Sequence, residues 1–409
     1  MPPLLGHLGD AHNFGRRVTL GKTRIAKPRT LLWEWLVLAA ESPLRRRLDD
    51  LAARDENALG VDPFGFLPDL AFSSPDAPGG GEVEKVELAV LGTLASDRAK
   101  RELSGIVGRA IALFSWLGVA DLHWENLVLG RGKHDQIVFA PLDVEMLFAD
   151  MALPTETKLL PDADPEVAAI CQHACGVRRV LPYLGKPVAA DHVVAIADAY
   201  RRTLVFLDRH TRAIADVLSR LPRLRETPIR ILLRGTDEYV RARAGDGGEI
   251  WPPLLAAEEE QLARGDIPYF FRLYGRPGIH YYVNEALTRT KHLPLVGDVP
   301  QLGPLLDLGR GLRSPSRRKL REEGLFTVIG AFDAPANRGV HGSGELSVSF
   351  GARKLVVKSS PAEGAKEAEE LETRRGRAMS AFVGSVYSSC RCGEVRTVFV
   401  PPVTVCDAT

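Results

Sequence analysis

The chain has 409 residues, 45% of them hydrophobic and 26% charged, which at ~100–200 residues per domain allows two or three domains around a sizeable core and excludes a disordered polymer or a small stapled module. With 53 basic residues against 52 acidic ones the net charge is +1, so no overall field draws the protein to nucleic acid or an anionic membrane, and any anion site must be local. The apolar run at 31–40 is broken by Glu34 and is far short of the ~20 residues a bilayer demands. No membrane span is expected; the first ten residues carry Asp10 and no secretory pattern, which makes the cytoplasm the expected compartment.

In chain order, Gly9-Asp10-Ala-His12-Asn13-Phe-Gly15 predicts a loop whose glycines let backbone approach a phosphate. Residues 16–27 alternate around Gly21-Lys22, the pattern of two short strands and a tight turn, and Pro28 closes the second. Helical spacing starts at Thr30 and again over 44–53, and residues 73–81 form a Pro/Gly-rich loop. A helix is then expected from 82 to about 117, stopped by Gly118, followed by strands at 127–130 and 136–145. Further helices are expected over 165–180, 191–220 and 254–264, the last ended by Gly265, with an extended piece at 229–236 and a helix-like stretch at 320–332. Beyond it the pattern changes to strands at 345–350, 353–358 and 396–404 around a helix near 362–372. The expected division is 1–72, 82–333 and an unassigned extension 334–409, in the α+β class. Cysteines number five, an odd count, and Cys171-x-x-x-Cys175 with His173 between them reads better as small buried residues than as a metal site.

Chemistry concentrates in three segments. Asp121-Leu-His123-Trp-Glu-Asn126 is followed 22 residues after Asp121 by Asp143-Val-Glu145. Phosphotransferases use such a set: a carboxylate for the attacking hydroxyl, an amide oxygen five residues on for magnesium, then a further carboxylate. In an extended 142–145 segment, Asp143 and Glu145 share a face and offer hard oxygen ligands to Mg2+. The bland alternative for Asp121, His123 and Asn126 is a solvated turn. Lys27, ending the second strand, is placed to reach nucleotide phosphates, although strand ends are often decorated by surface lysines. In Arg230-Ile-Leu-Leu-Arg234-Gly-Thr236 an extended backbone puts both arginines and Thr236 on one face, a phosphate receptor unless Asp237 or Glu238 pairs with the arginines. Gly265-Asp-Ile-Pro-Tyr-Phe270, taken alone, reads as packing.

Together these segments resemble the dehydratase half of class II (LanM-type) lanthipeptide synthetases. The matching pieces stand in the family's order: Gly-Asp10-Ala-His12-Asn-x-Gly15, Ala-Lys27-Pro-Arg29, Asp121-Leu-His123-Trp-Glu-Asn126, Leu-Asp143-Val-Glu145, Arg230-x-x-x-Arg234-x-Thr236-x-x-Tyr239 and Gly-Asp266-Ile-Pro-Tyr-Phe270. The likeness covers about residues 5–333.

The resemblance implies a bilobal fold like that of lipid kinases, with a small strand-containing lobe and a largely helical one. It implies Mg-ATP-dependent phosphorylation of Ser and Thr in a ribosomally made precursor peptide, then phosphate elimination to dehydroalanine or dehydrobutyrine. By the same resemblance Asp10, His12 and Lys27 belong to the nucleotide side, Asp121 and His123 to catalysis, Asn126, Asp143 and Glu145 to the metal, and Arg230 and Thr236 to elimination. Three departures stand out. Asp10 lies nine residues from the initiator Met, so a shortened first lobe is expected. The zinc-binding cyclase half is missing, which makes a separate cyclase an expected partner. Residues 334–409 have no counterpart. Two other readings stay open: a phosphotransferase without elimination, and a non-catalytic remnant that binds a peptide or a partner enzyme.

Overall fold

A computed structural model describes residues 6–55, 59–60, 62–94, 96–161, 175–185, 188–244, 253–293, 304–310, 312, 314–332, 345–350, 353–359 and 395–397. The chain is mixed α+β with antiparallel sheets. Strands β1 (Gly6–His12), β2 (Arg16–Leu20), β3 (Arg24–Lys27), β4 (Phe72–Ser73) and β5 (Gly81–Glu84) form one sheet in the order β1-β2-β3-β5-β4.

The expected phosphate loop is therefore strand as far as His12. Its register breaks between Leu8 and His12, where Gly9 takes φ +74°, and the turn proper is Asn13-Phe14-Gly15, all at positive φ. Helical structure at 82 also gives way to strand. Lys27 pairs with Gly81 and Ile25 with Val83, so the alternation of Glu82, Val83 and Glu84 buries Val83 against the sheet. The first sheet thus reaches past the boundary expected at 72.

Helices α1 (Leu32–Leu38) and α2 (Pro43–Arg54) follow β3, and α2 is capped by Ser42, whose side chain accepts from Arg45 N–H. Helix α3 (Asp97–Leu117) starts only after Ser96, which caps it through Ala99 N–H. It ends at Gly118, φ +67°, where a Cβ would lie 2.0 Å from the Ala149 carbonyl oxygen. This close approach starts the loop that carries Asp121. Gly118→Ala is expected to destabilise the fold by ~1–3 kcal/mol, read as a lowered midpoint in urea; an unchanged midpoint would contradict the close approach.

Strands β6 (Leu127–Arg131) and β7 (Ile137–Pro141) form a hairpin. The strand expected to run to 145 stops at Pro141, because beyond the Leu127–Pro141 pair Leu142 N–H donates to the Asn126 carbonyl and the chain leaves the ladder. The helix expected over 191–220 is two, α5 (Ala190–Arg209) and α6 (Thr211–Ser219), divided at His210, after the short α4 (Leu181–Leu184). Most of the 165–180 helix, with Cys171 and His173, lies outside the described residues; Cys175 has a free thiol.

A further sheet has the order β11-β10-β9-β8, from β8 (Pro228–Ile231), β9 (Phe270–Leu273), β10 (Arg276–Tyr282) and β11 (Thr290–Leu293). Between β8 and β9 lie α7 (Thr236–Ala244) and α8 (Ala256–Ala263). The expected extended run to Thr236 ends at Ile231 because Gly235-Thr236-Asp-Glu starts a helix, with Glu238 accepting from Gly235 N–H at 3.2 Å. Residues 320–332 belong to α9 (Pro315–Glu322) and α10 (Gly324–Phe332). Strands β12 (Glu345–Phe350), β13 (Arg353–Ser359) and β14 (Val395–Thr397) pair in the order β12-β13-β14; the helix expected near 362–372 lies outside the described residues.

One apolar core runs from Leu31 to Phe332 and includes α1, α2, α3, the β6–β7 hairpin, α5 and α10. Trp33 is buried in it, and its indole N–H donates to the Pro228 carbonyl at 2.7 Å, which locks α1 to β8. No described helix is long and apolar enough to cross a membrane.

Candidate active site

Lys27, at the end of β3, is 8% exposed and donates to both carboxylate oxygens of Glu34 on α1, at 2.9 and 3.0 Å. It also donates to the Leu142 carbonyl at 3.0 Å and lies 3.7 Å from Asp143 Oδ1. Arg29, just past the strand, bonds Glu34 and Asp143, and its Nε lies 3.1 Å from Glu145 Oε1. Glu145 then receives Arg230 Nη1 at 3.1 Å and the Tyr269 hydroxyl at 3.2 Å, while its backbone carbonyl accepts from Arg230 N–H. Lys27, Asp143, Glu145 and Arg230 are brought into one cluster, buried except at Asp143 and balanced between the carboxylates of Glu34, Asp143 and Glu145 and the cations of Lys27, Arg29 and Arg230.

The loop holding Asp121 adjoins this cluster through Leu142, whose N–H goes to Asn126 and whose carbonyl accepts from Lys27. Asp121 takes φ +64°. Lys158 Nζ donates to its Oδ1 at 2.7 Å, and Asn126 Nδ2 donates to its backbone carbonyl at 2.9 Å. The loop is partly exposed, with Trp124 41% accessible, and its backbone is braced from behind: Leu122 N–H donates to the Thr157 carbonyl, and His123 bridges Cys175 in an antiparallel pairing. His123 precedes a single 3-10 turn, 124–126.

Across the cluster, the Ile267 carbonyl accepts from His12 Nδ1 at 2.8 Å, which places the proton of the neutral ring on Nδ1. His12 stands edge-on to Tyr269, with centroids 5.9 Å apart. Asp266, fully buried, accepts from the N–H groups of Phe14 and Gly15 and so pins the turn after β1. Asp10 is exposed on that strand. The Gly265–Phe270 segment therefore does more than pack: it clamps the first sheet and delivers Tyr269 to Glu145.

Thr236 does not share a strand face with Arg230, since it begins α7. Arg234 is not offered to a ligand either; it forms a buried pair with Glu258 at 2.9 Å, and Tyr239 donates to the same carboxylate at 2.6 Å.

Several contributors carried no assignment at the level of sequence: Glu34, Arg29, Tyr269, Asp266 and Lys158. Glu34 had a readable signal, as the lone carboxylate in the apolar run at 31–40.

Burial opposes the charge on Asp143, but Arg29 and then Lys27 outweigh it and hold the carboxyl well below its ordinary range. Burial pushes Glu34 up in spite of the same two cations, and it pushes Tyr269 far up with help from Glu145, so that hydroxyl is a donor at any working pH. Burial, then Arg230, lowers His12 from its ordinary 6.5. A histidine held neutral by folding stabilises the protein fully above the unfolded pKa of about 6.5, and that stability is lost as pH falls through the depressed folded value. His12→Gln should therefore flatten the decline in unfolding free energy between about pH 6.5 and 5, above the carboxylate range; an unaltered slope in urea titrations would refute this.

For magnesium the donor set fits in part. Asp143 is 37% exposed, and the Asn126 amide oxygen is left over once Nδ2 is engaged, so these two suit an ion that takes one or two protein oxygens and completes its shell with phosphates. Glu145 has both oxygens engaged by cations and Tyr269. Among the described residues no three His, Cys, Asp or Glu side chains are grouped to hold a metal by themselves. No protein-family model matches the chain, and no curated protein matches it significantly.

Proposed function

We propose that this protein is a kinase-like peptide dehydratase of the class II lanthipeptide type. It would phosphorylate Ser and Thr hydroxyls with Mg-ATP and then eliminate the phosphate. The observation that carries the reading is the Lys27–Glu34 pair, a strand lysine locked to a helix glutamate, set beside Asp143 and linked through Leu142 to the Asp121–Asn126 loop. Phosphoryl transfer in kinases relies on this arrangement of parts. The small sheet with α1 would be the nucleotide-facing lobe, and the helices from α3 onward the catalytic one.

In the first half-reaction Asp121, oriented by Lys158, takes the proton of the peptide hydroxyl as that oxygen bonds to the γ-phosphorus and the bond to the ADP oxygen breaks. Asp143 and Asn126 would hold a magnesium ion, which would neutralise phosphate charge. In the second, a base takes the Cα–H proton, the electron pair left behind forms the Cα=Cβ bond as the Cβ–O bond breaks, and Arg230 would receive the charge gathered on the departing phosphate.

Incubating the protein with a Ser/Thr-containing precursor peptide, Mg2+ and ATP should yield peptide lacking one water per modified residue by mass spectrometry. Arg230→Ala should leave phosphopeptide, with elimination slowed ~100-fold or more. Absence of both phosphorylated and dehydrated peptide over the candidate precursors would defeat the reading.

The placement of Thr236 on α7 and the capture of Arg234 by Glu258 favour a second reading, transfer without elimination. Wild-type protein that stops at the phosphopeptide would establish it.

A further inference from the structure

Beneath α6 and α9 lies a cavity of about 800 Å3 that shares no residue with the Lys27 cluster. Arg209, Arg212, Arg310, Arg317, Arg318 and Arg321 line it, and among the described residues the acids there are Asp208 and Asp216. Both aspartates are already engaged. Asp208 takes the Trp116 indole N–H at 3.2 Å and Arg321 at 3.2 Å, and Asp216 pairs at 2.9 Å with Arg220, which is not part of the lining. Arg209 is bonded to Asp55. Arg310 and Arg318 have only long, exposed pairings, 3.4 Å to Asp307 and 3.9 Å to Glu322, and no ion pair holds Arg212 among the described residues.

Arg317 is the buried member. It is 7% exposed, stacks 4.0 Å over Trp116 and donates from Nη2 to the Trp116 carbonyl at 2.6 Å. Its Nε and Nη1 have no hydrogen-bond partner among the described residues. A buried guanidinium with idle donors is costly, and burial pushes this one down to about 10. Those two nitrogens are sealed from solvent, so Arg317 acts on the cavity through its charge, and an oxyanion there would take its bonds from the exposed guanidiniums of Arg212, Arg310 and Arg318. The floor beside it is apolar, from Ala215, Leu308 and Leu312.

We propose that this cavity is a second ligand site, separate from the catalytic cluster, for a small organic phosphate: its phosphates meet Arg212, Arg310 and Arg318 beside the buried charge of Arg317, and its body rests on the leucine floor. The volume lies within the ~300–1,000 Å3 of small-molecule sites, which favours a compact ligand over a peptide laid along a groove. This inference does not depend on the dehydratase reading.

The test is calorimetric titration of the full chain with ADP and with pyrophosphate, in EDTA to exclude divalent ions. ADP should bind saturably, weaken with salt, and bind several-fold tighter than pyrophosphate. Arg212→Ala/Arg318→Ala, which alters two exposed side chains, should weaken this binding about tenfold or more, and Arg317→Met should weaken it too, while any metal-free nucleotide binding at the Lys27 cluster persists in both. Arg230→Gln, in the catalytic cluster, should leave it unaltered. The proposal is overturned by absence of saturable binding, by indifference to the double substitution, by equal affinity for pyrophosphate, or by loss of binding in Arg230→Gln.

Discussion

Arg29→Ala is expected to cost the fold about 3–5 kcal/mol, more than any other single change in the cluster. Arg29 is the one side chain that touches Glu34, Asp143 and Glu145 together, and it is only 12% exposed. Removing it leaves Lys27 as the one cation on Glu34 and Arg230, beside the Tyr269 hydroxyl, as the one cation on Glu145, while the space vacated brings the carboxylates no compensating charge. Breaking one partner from a buried ionic set is costly for this reason, whereas an exposed pair is worth ~0–1 kcal/mol. Arg29→Lys should recover only part of the loss, because an ammonium is a point charge and cannot offer the flat, several-pronged donor set that three carboxylates require. Urea unfolding measures both variants. A loss under ~1 kcal/mol for Arg29→Ala would mean that Lys27 and Arg230 suffice to hold the cluster.

What could be read beforehand, and what could not, follows from how each residue is held. The strand-end position of Lys27 was legible, and the Lys27–Gly81 pairing keeps it there, but its partners Glu34 and the Leu142 carbonyl were not. Asp143 and Glu145 were expected to converge by strand alternation. They converge on Arg29, a cation of the chain itself and not the expected ion, and through a chain that has left the strand at Pro141. Thr236 failed for the opposite reason. Alternation over 229–236 was assumed to persist, and the helix start at Gly235 ended it. Glu34, Tyr269 and Asp266 act across separations of 7, 124 and 252 residues to Lys27, Glu145 and Phe14, and only the first of these is close enough along the chain for local pattern to suggest it. The β5 strand was missed because its alternation is only a few residues long and its partner β3 lies more than fifty residues earlier.

Asp143→Asn should separate chemistry from architecture. The cluster balances its carboxylates against its cations, so removing the Asp143 charge leaves one surplus cation beside the expected nucleotide phosphates. Metal-free ATP affinity should then stay the same or tighten. The fold should lose no more than about 2 kcal/mol, because Asp143 is 37% exposed and Arg29 keeps both Glu34 and Glu145. Turnover should behave differently, falling by ~1,000-fold or more, since the substitution takes away the only half-exposed carboxylate of the cluster and with it the hard oxygen that suits magnesium. Single-turnover phosphate transfer to peptide, measured across a Mg2+ titration beside an equilibrium ATP-binding measurement, tests the split. Transfer within tenfold of wild type at saturating Mg2+ would show that Asp143 serves only to neutralise Arg29 and Lys27. Parallel loss of affinity and turnover would show that the cluster binds nucleotide through geometry that Asp143 maintains, with no separate part for it in the chemical step.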